Sequence, residues 1–244
     1  MPKFSIVIPA YNEGARLGAT LDRVLSYVSE QRWEAEVLVV NDGSRDNTAE
    51  LVRERAKANP ALRLIENPGN HGKGYSVRNG MLNANGELLL FTDADLSAPI
   101  EQANKLFSAV ESGAEVAVGS RWLEPNLQAQ RQSKLRQFYG RSFNLVLRIL
   151  LGLKFKDTQC GFKAFRRGAA QTLFSLQRIE GWGFDAELLY IASHLGMRVK
   201  EVPVVWSDAL GTRIHPLRDG LHMLSEVLVI RWNALSGKYP RAKS

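Results

Sequence analysis

Short apolar runs recur through the first half of the chain, at Phe4–Pro9, Glu36–Asn41, Leu62–Glu66, Leu88–Asp93 and Val116–Ser120. Runs of this length predict buried strands. Between them the apolar positions switch to helical spacing, as at Leu17, Leu21, Val24, Leu25 and Val28. Thr48 and Asn70 suit the starts of helical or loop elements, and Asn85-Gly86 suits a helix stop. Alternation of strand and helix predicts an α/β fold, a mostly parallel sheet with helices on both faces. No internal repeat, linker or break in composition divides residues 1–244, so one domain is expected.

The second half carries a different pattern. A long helical period runs from Gln130 to Leu153, with Arg131, Lys134, Arg141 and Arg148 spaced onto one face. A second amphipathic helix is expected at about 216–236, where Leu217, Leu221, Leu224, Leu228 and Leu235 repeat and Met223, Val227 and Ile230 widen the stripe. Periodicity alone fits packing on the sheet and contact with a membrane surface equally.

Charge and composition narrow this picture only a little. The net charge of +7 suits nucleic acid, anionic lipid or phosphorylated substrates alike. The basic residues lack interleaved surface aromatics or a known nucleic-acid module, so no nucleic-acid partner is expected. Met1-Pro2-Lys3 leads straight into a strand-like run, and no apolar stretch approaches the ~18 residues of a span. With a lone cysteine, Cys160, which reads as a small buried hydrophobe, a cytoplasmic protein is expected.

The chemistry gathers at predicted strand ends, where open α/β sheets bind ligands. Pro9-Ala10-Tyr11-Asn12-Glu13, Asn41-Asp42-Gly43-Ser44 and Thr92-Asp93-Ala94-Asp95 all fall there. Asp93 and Asp95, flanking one residue after a buried strand, suit Mg²⁺ or Mn²⁺. Such a cation would offset charge building on a departing diphosphate. Taken singly, Asp42 reads equally as a helix cap. Asn70-His71-Gly72-Lys73-Gly74 reads either as a phosphate-contacting glycine loop, with Lys73 at its end, or as a tight turn before a helix. His71 reads as a surface turn residue.

The motifs FSIVIPAYNE, VVNDGS, GNHGKG, FTDAD and VGSR stand in the order found in family-two glycosyltransferases of the GT-A fold, and the whole chain resembles that family. DTQCGFKAF and GWGFDAELLY make it similar to the polyprenyl-phosphate sugar transferases, most of all the dolichyl-phosphate β-glucosyltransferase branch. The resemblance implies that Pro9, Ala10, Tyr11, Glu13 and Asp42 hold the donor's base and ribose. It implies that Asp93, Ala94 and Asp95 form the metal motif, with Asp95 the principal ligand. It sets Arg121 against donor phosphates, Arg141 near the acceptor, and Arg213 in a loop that closes over the site. Gln159 and Lys163 are placed by it near the acceptor phosphate, and Asp157 is a substrate-binding candidate that reads equally as a turn or cap residue. Related mannosyl enzymes have a metal-binding glutamine where this chain has Ser97. No counterpart of the membrane anchor of the eukaryotic glucosyl branch is expected. Processive synthases carry Q-x-x-R-W, but Leu228 precedes Arg231-Trp232 in the glutamine position.

The same resemblance implies inverting, metal-dependent transfer of glucose from UDP-glucose to a polyprenyl phosphate at the cytoplasmic face of a membrane. A lipid phosphate ionises near pKa ~6 and needs no general base. A sugar hydroxyl would need one, and Asp185 or Glu187 is then the candidate, although each reads equally as structural, Glu187 as a buried partner of an arginine. GDP-mannose as donor, a soluble acceptor, and a non-catalytic sugar-nucleotide-binding domain remain the alternatives.

Overall fold

The computed structural model describes residues 1–127, 134–207 and 216–240; the side chains of residue 125 and, within two helices, of residues 134–139, 141 and 216–221 lie outside that description. Its sheet has seven strands, β1 (Phe4–Ala10), β2 (Ala35–Asn41), β3 (Leu62–Glu66), β4 (Leu88–Thr92), β5 (Val116–Ser120), β6 (Phe162–Arg166) and β7 (Val199–Pro203), ordered β3-β2-β1-β4-β6-β5-β7. All neighbours run parallel except β6, which is antiparallel to both β4 and β5. The predicted runs all become strands. Sequence patterning missed β6 and β7.

Side chains alternate across the sheet, as a pleated strand requires. Ile6, Ile8, Val37, Val39 and Leu90 enter one core with Leu17, Leu21 and Val24 of α1 (Leu17–Glu30), Val52 of α2 (Thr48–Ala58) and Leu106 and Val110 of α4 (Ala103–Glu111). Val7, Leu38, Val40, Leu89 and Phe91 enter the other. There they meet Val77 and Met81 of α3 (Lys73–Asn83), Leu173 and Phe174 of α6 (Arg167–Leu176) and Leu188 of α7 (Phe184–His194). Helices on both faces are the architecture expected.

The reversal of β6 matters most for the site. Its register sets Phe162 against Thr92, so the segment leading into β6 arrives where β4 ends. A parallel strand there would have carried it to the opposite edge.

The two long helices are α5 (Lys134–Leu151) and α8 (Pro216–Leu235), which pack against each other. Each buries one face: Leu147 and Leu151 on α5, Val227 and Ile230 on α8. The opposite faces expose Leu145, Val146 and Ile149, and Leu228, Val229, Trp232 and Leu235. Packing and an exposed apolar surface therefore coexist on the same helices. Among the described residues no helix is long and apolar enough to cross a membrane. Of the basic positions on the first helix, Arg148 alone has a described side chain, and it is half-buried. Arg131 lies outside the described residues.

Candidate active site

The ends of β1 and β2 are stitched into one platform. The Asp42 N–H donates to the Ala10 carbonyl at 2.9 Å. Asn12 takes a left-handed φ of 54°, which a short amide side chain tolerates. Its N–H donates to Ser44 Oγ at 2.9 Å, and its Oδ1 accepts from the Arg45 N–H at 2.8 Å. The Glu13 N–H donates to Thr48 Oγ1 at 2.8 Å, while the Glu13 carboxylate grips Arg16. Pro9, Ala10, Tyr11, Glu13 and Asp42 thus lie together at the ends of β1 and β2, with Ala10 and Asp42 buried and Tyr11 exposed.

Asp42 is buried and organises the neighbouring loop. Its carboxylate accepts from Asn67 Nδ2 at 2.7 Å, the Gly72 N–H at 2.8 Å and the His71 N–H at 3.1 Å. Two N–H groups of GNHGKG, those of His71 and Gly72, are therefore spent on Asp42, which favours the tight-turn reading for that part of the loop. The His71 ring stacks on Tyr75 at 4.3 Å.

At the end of β4 a tight turn presents the two carboxylates. Leu96 has a φ of 47°, its N–H donates to the Asp93 carbonyl at 3.1 Å, and Asp95 Oδ1 accepts from the Ser97 N–H at 2.9 Å. The buried Ala94 adds its carbonyl, which accepts from Thr20 Oγ1 at 2.6 Å. Lys73, the first residue of α3, sets its ammonium 2.5 Å from Asp93 Oδ1 and 5.1 Å from the Trp182 ring centre. Burial works against that ammonium, but Asp93, Asp185 and Asp95 together outweigh it and raise its pKa.

Glycine at 161 is what lets Asp93 fit. A Cβ there would fall 2.1 Å from Asp93 Oδ2, inside any real contact. Among the described residues no group of three His, Cys, Asp or Glu side chains could hold a metal. Two hard carboxylates fit Mg²⁺ or Mn²⁺, which keeps water ligands and takes further oxygens from a bound diphosphate. Ser97 is buried, so the turn offers no third carboxylate or amide ligand.

Behind this edge lie two buried ion pairs. Arg121 clamps Asp157 with Nε at 2.7 Å and Nη2 at 2.8 Å, and its backbone N–H adds a third bond at 3.0 Å. Burial opposes ionisation of Asp157, but Arg121 outweighs it and holds the carboxyl below its ordinary value. The guanidinium also lies 4.9 Å from the Trp206 ring centre. Lys163 is fully buried; its ammonium bonds Asp185 and donates to the Cys160 carbonyl at 2.6 Å. The Cys160 thiol, buried beside Asp157, is pushed up to about 12 and stays protonated.

These contacts revise part of the residue assignment. Lys163, expected near the acceptor phosphate, and Asp157 have 0% exposure and are each held in a buried ion pair. Gln159 is half-buried and points its amide nitrogen toward Met223 Sδ of α8 at 3.8 Å. Glu187 is a scaffold carboxylate: it accepts from the N–H groups of Arg178 and Ile179 and from the Tyr239 hydroxyl. Arg141 sits on α5, with its side chain outside the described residues, as is all of Arg213.

Sequence reasoning missed Gly161, Trp182 and the Lys163–Asp185 pair. A signal for the pair was present: a lone lysine in FKAF and a lone aspartate in GFDA each interrupt an apolar stretch. Buried charges at such places must find each other.

A mixed sheet whose carboxyl edge carries a D-x-D turn beside a loop platform defines a sugar-nucleotide transferase fold of the GT-A type. Glucosyl-3-phosphoglycerate synthase from Mycobacterium tuberculosis, solved with Mn²⁺, UDP and glucosyl-3-phosphoglycerate, matches with a TM-score of 0.68 and 21% identity, over 100% of this chain and 82% of that one. The chain belongs to glycosyl transferase family 2, whose profile matches residues 5–174. It is 40% identical over 214 residues to dolichyl-phosphate beta-glucosyltransferase ALG5C of Trichomonas vaginalis, covering 84% of this chain and 64% of that protein. The dolichyl-phosphate beta-glucosyltransferases of Dictyostelium discoideum and Homo sapiens are 32% and 34% identical, over 96% and 97% of this chain and 75% and 77% of theirs.

Proposed function

We propose that the protein transfers glucose from UDP-glucose to the phosphate of a polyprenyl or dolichyl lipid, inverting the anomeric centre to give a β-linked lipid phosphate sugar. The names of the relatives and the DTQCGFKAF segment support the donor and acceptor. The observation that carries the reading is the state of the candidate bases. Asp185 is tied to Lys163, Asp157 to Arg121, and Glu187 to two backbone N–H groups and a phenol. A hydroxyl acceptor requires an uncommitted base, whereas an ionised phosphate requires none.

Catalysis then rests on alignment and charge. The platform of Pro9 to Glu13 and Asp42 would seat the nucleoside. Asp93 and Asp95 would hold Mg²⁺ or Mn²⁺, which neutralises charge on the leaving diphosphate. Lys73, beside Asp93, would steady the same phosphates. The exposed apolar faces of α5 and α8, with a net charge of +7, suit peripheral contact with an anionic, cytoplasmic membrane face.

The test offers polyprenyl phosphate in anionic liposomes with labelled UDP-glucose or GDP-mannose, with Mg²⁺, Mn²⁺ or EDTA. Glucose should pass to the lipid with β configuration and only with metal. Asp95→Ala should lower turnover by roughly 10²–10³-fold. Binding to the liposomes should weaken with salt. An α-linked product, or transfer confined to sugar hydroxyls, would sink the proposal.

A further inference from the structure

The Lys73 ammonium and a divalent cation are competing claimants for Asp93. Its Oδ2 lies against Gly161, with no room for even a methyl group between them. Its Oδ1 is held by the Lys73 ammonium at 2.5 Å. A magnesium-sized cation binds carboxylate oxygen at about 2.0–2.1 Å and needs that same approach. Two cations so close on one oxygen repel each other strongly.

The Lys73 backbone cannot yield. A Cβ at Gly72 would lie 2.6 Å from the Glu180 carbonyl oxygen, and one at Gly74 would lie 2.7 Å from that of Ile179. The Tyr75 N–H also donates to the Glu180 carbonyl at 3.1 Å. Only the side chain is free to swing, and Trp182 offers it a surface to turn on. A nucleoside diphosphate at the carboxyl edge would give the ammonium another anion to hold.

Resting on the reading of Asp93 and Asp95 as cation ligands, we propose that Lys73 and the divalent cation are alternative partners of Asp93, exchanged when the diphosphate arrives. Cation and diphosphate therefore load together, and Lys73 sets how strongly each depends on the other. By linkage, a residue that holds the cation off in the absence of UDP must also strengthen the mutual dependence of the two.

The test is Mn²⁺ binding, followed by electron paramagnetic resonance of the free ion, with and without UDP and without any turnover. Lys73→Met keeps an unbranched side chain of similar length and removes the charge. It should bind Mn²⁺ alone roughly tenfold more tightly than the parent protein. The gain in Mn²⁺ affinity on adding UDP should shrink correspondingly. Lys73→Arg, which keeps the charge, should behave as the parent does. A Lys73→Met protein, folded by its melting curve, whose Mn²⁺ affinity without UDP stays within about twofold of the parent overturns the exchange. The cation reading survives that result if UDP still tightens Mn²⁺. Absence of Mn²⁺ binding in every arm, UDP included, overturns both.

Discussion

Two lysine–aspartate pairs lie near the same edge of the sheet, and they do opposite jobs. Lys163 and Asp185 are buried, with side-chain exposures of 0% and 6%. Lys73 and Asp93 keep 14% and 26%. The chemistry of the two pairs is the same, so environment makes the difference. In the interior each charge depends on its partner, because no water replaces it. At the edge, water, a cation or a phosphate can substitute, and the pair becomes exchangeable. On the proposed reading, one pair is scaffold and the other belongs to the cation site.

Lys163→Met breaks the comparison at its strongest point. It leaves Asp185 buried without its bonded cation, and stability in urea should fall by about 3–5 kcal/mol. The double variant Lys163→Met, Asp185→Leu should recover most of that loss, because an apolar pair tolerates burial. A single variant as stable as the parent would show that water reaches Asp185.

The third pair, Arg121–Asp157, sharpens the contrast through pH. Its carboxyl is held below the ordinary value, so the stabilisation is complete above the unfolded-state pKa, about 3.9. It is lost as pH falls through the lower folded value. Asp157→Asn should therefore narrow the gap in melting temperature to the parent protein as pH drops below that range. A gap that stays constant across acid pH would contradict the assignment.

Lys73→Met should have the smallest effect on stability. The pair is partly hydrated, with side-chain exposures of 14% and 26%, so about 1 kcal/mol or less is expected in urea. A loss as large as that of Lys163→Met would make Lys73 scaffold as well.

Much of the fold was legible in the sequence where burial is complete. Val37 to Val40 and Leu88 to Phe91 are buried on both faces, and continuous apolar runs declare such strands. The strand β7, Val199–Pro203, lies at the edge of the sheet and is largely half-exposed, so its pattern is diluted. Lys163 interrupts β6, because the charge that compensates it comes from α7, which no local window contains. The D-x-D turn and the platform at the ends of β1 and β2 were legible for a related reason. Strand ends are fixed by short-range pattern, and their polar residues come next in the chain.

The sequence alone determined the α/β order of elements, the D-x-D turn and the amphipathic nature of the last helices, because each rests on neighbours a few positions apart. The tertiary structure alone decided that β6 runs backwards, that Gly161 thereby faces Asp93, and that Lys73 rather than Lys163 meets the site. Those outcomes depend on strand order and on which charges lose their water, and neither is a property of any local stretch of chain.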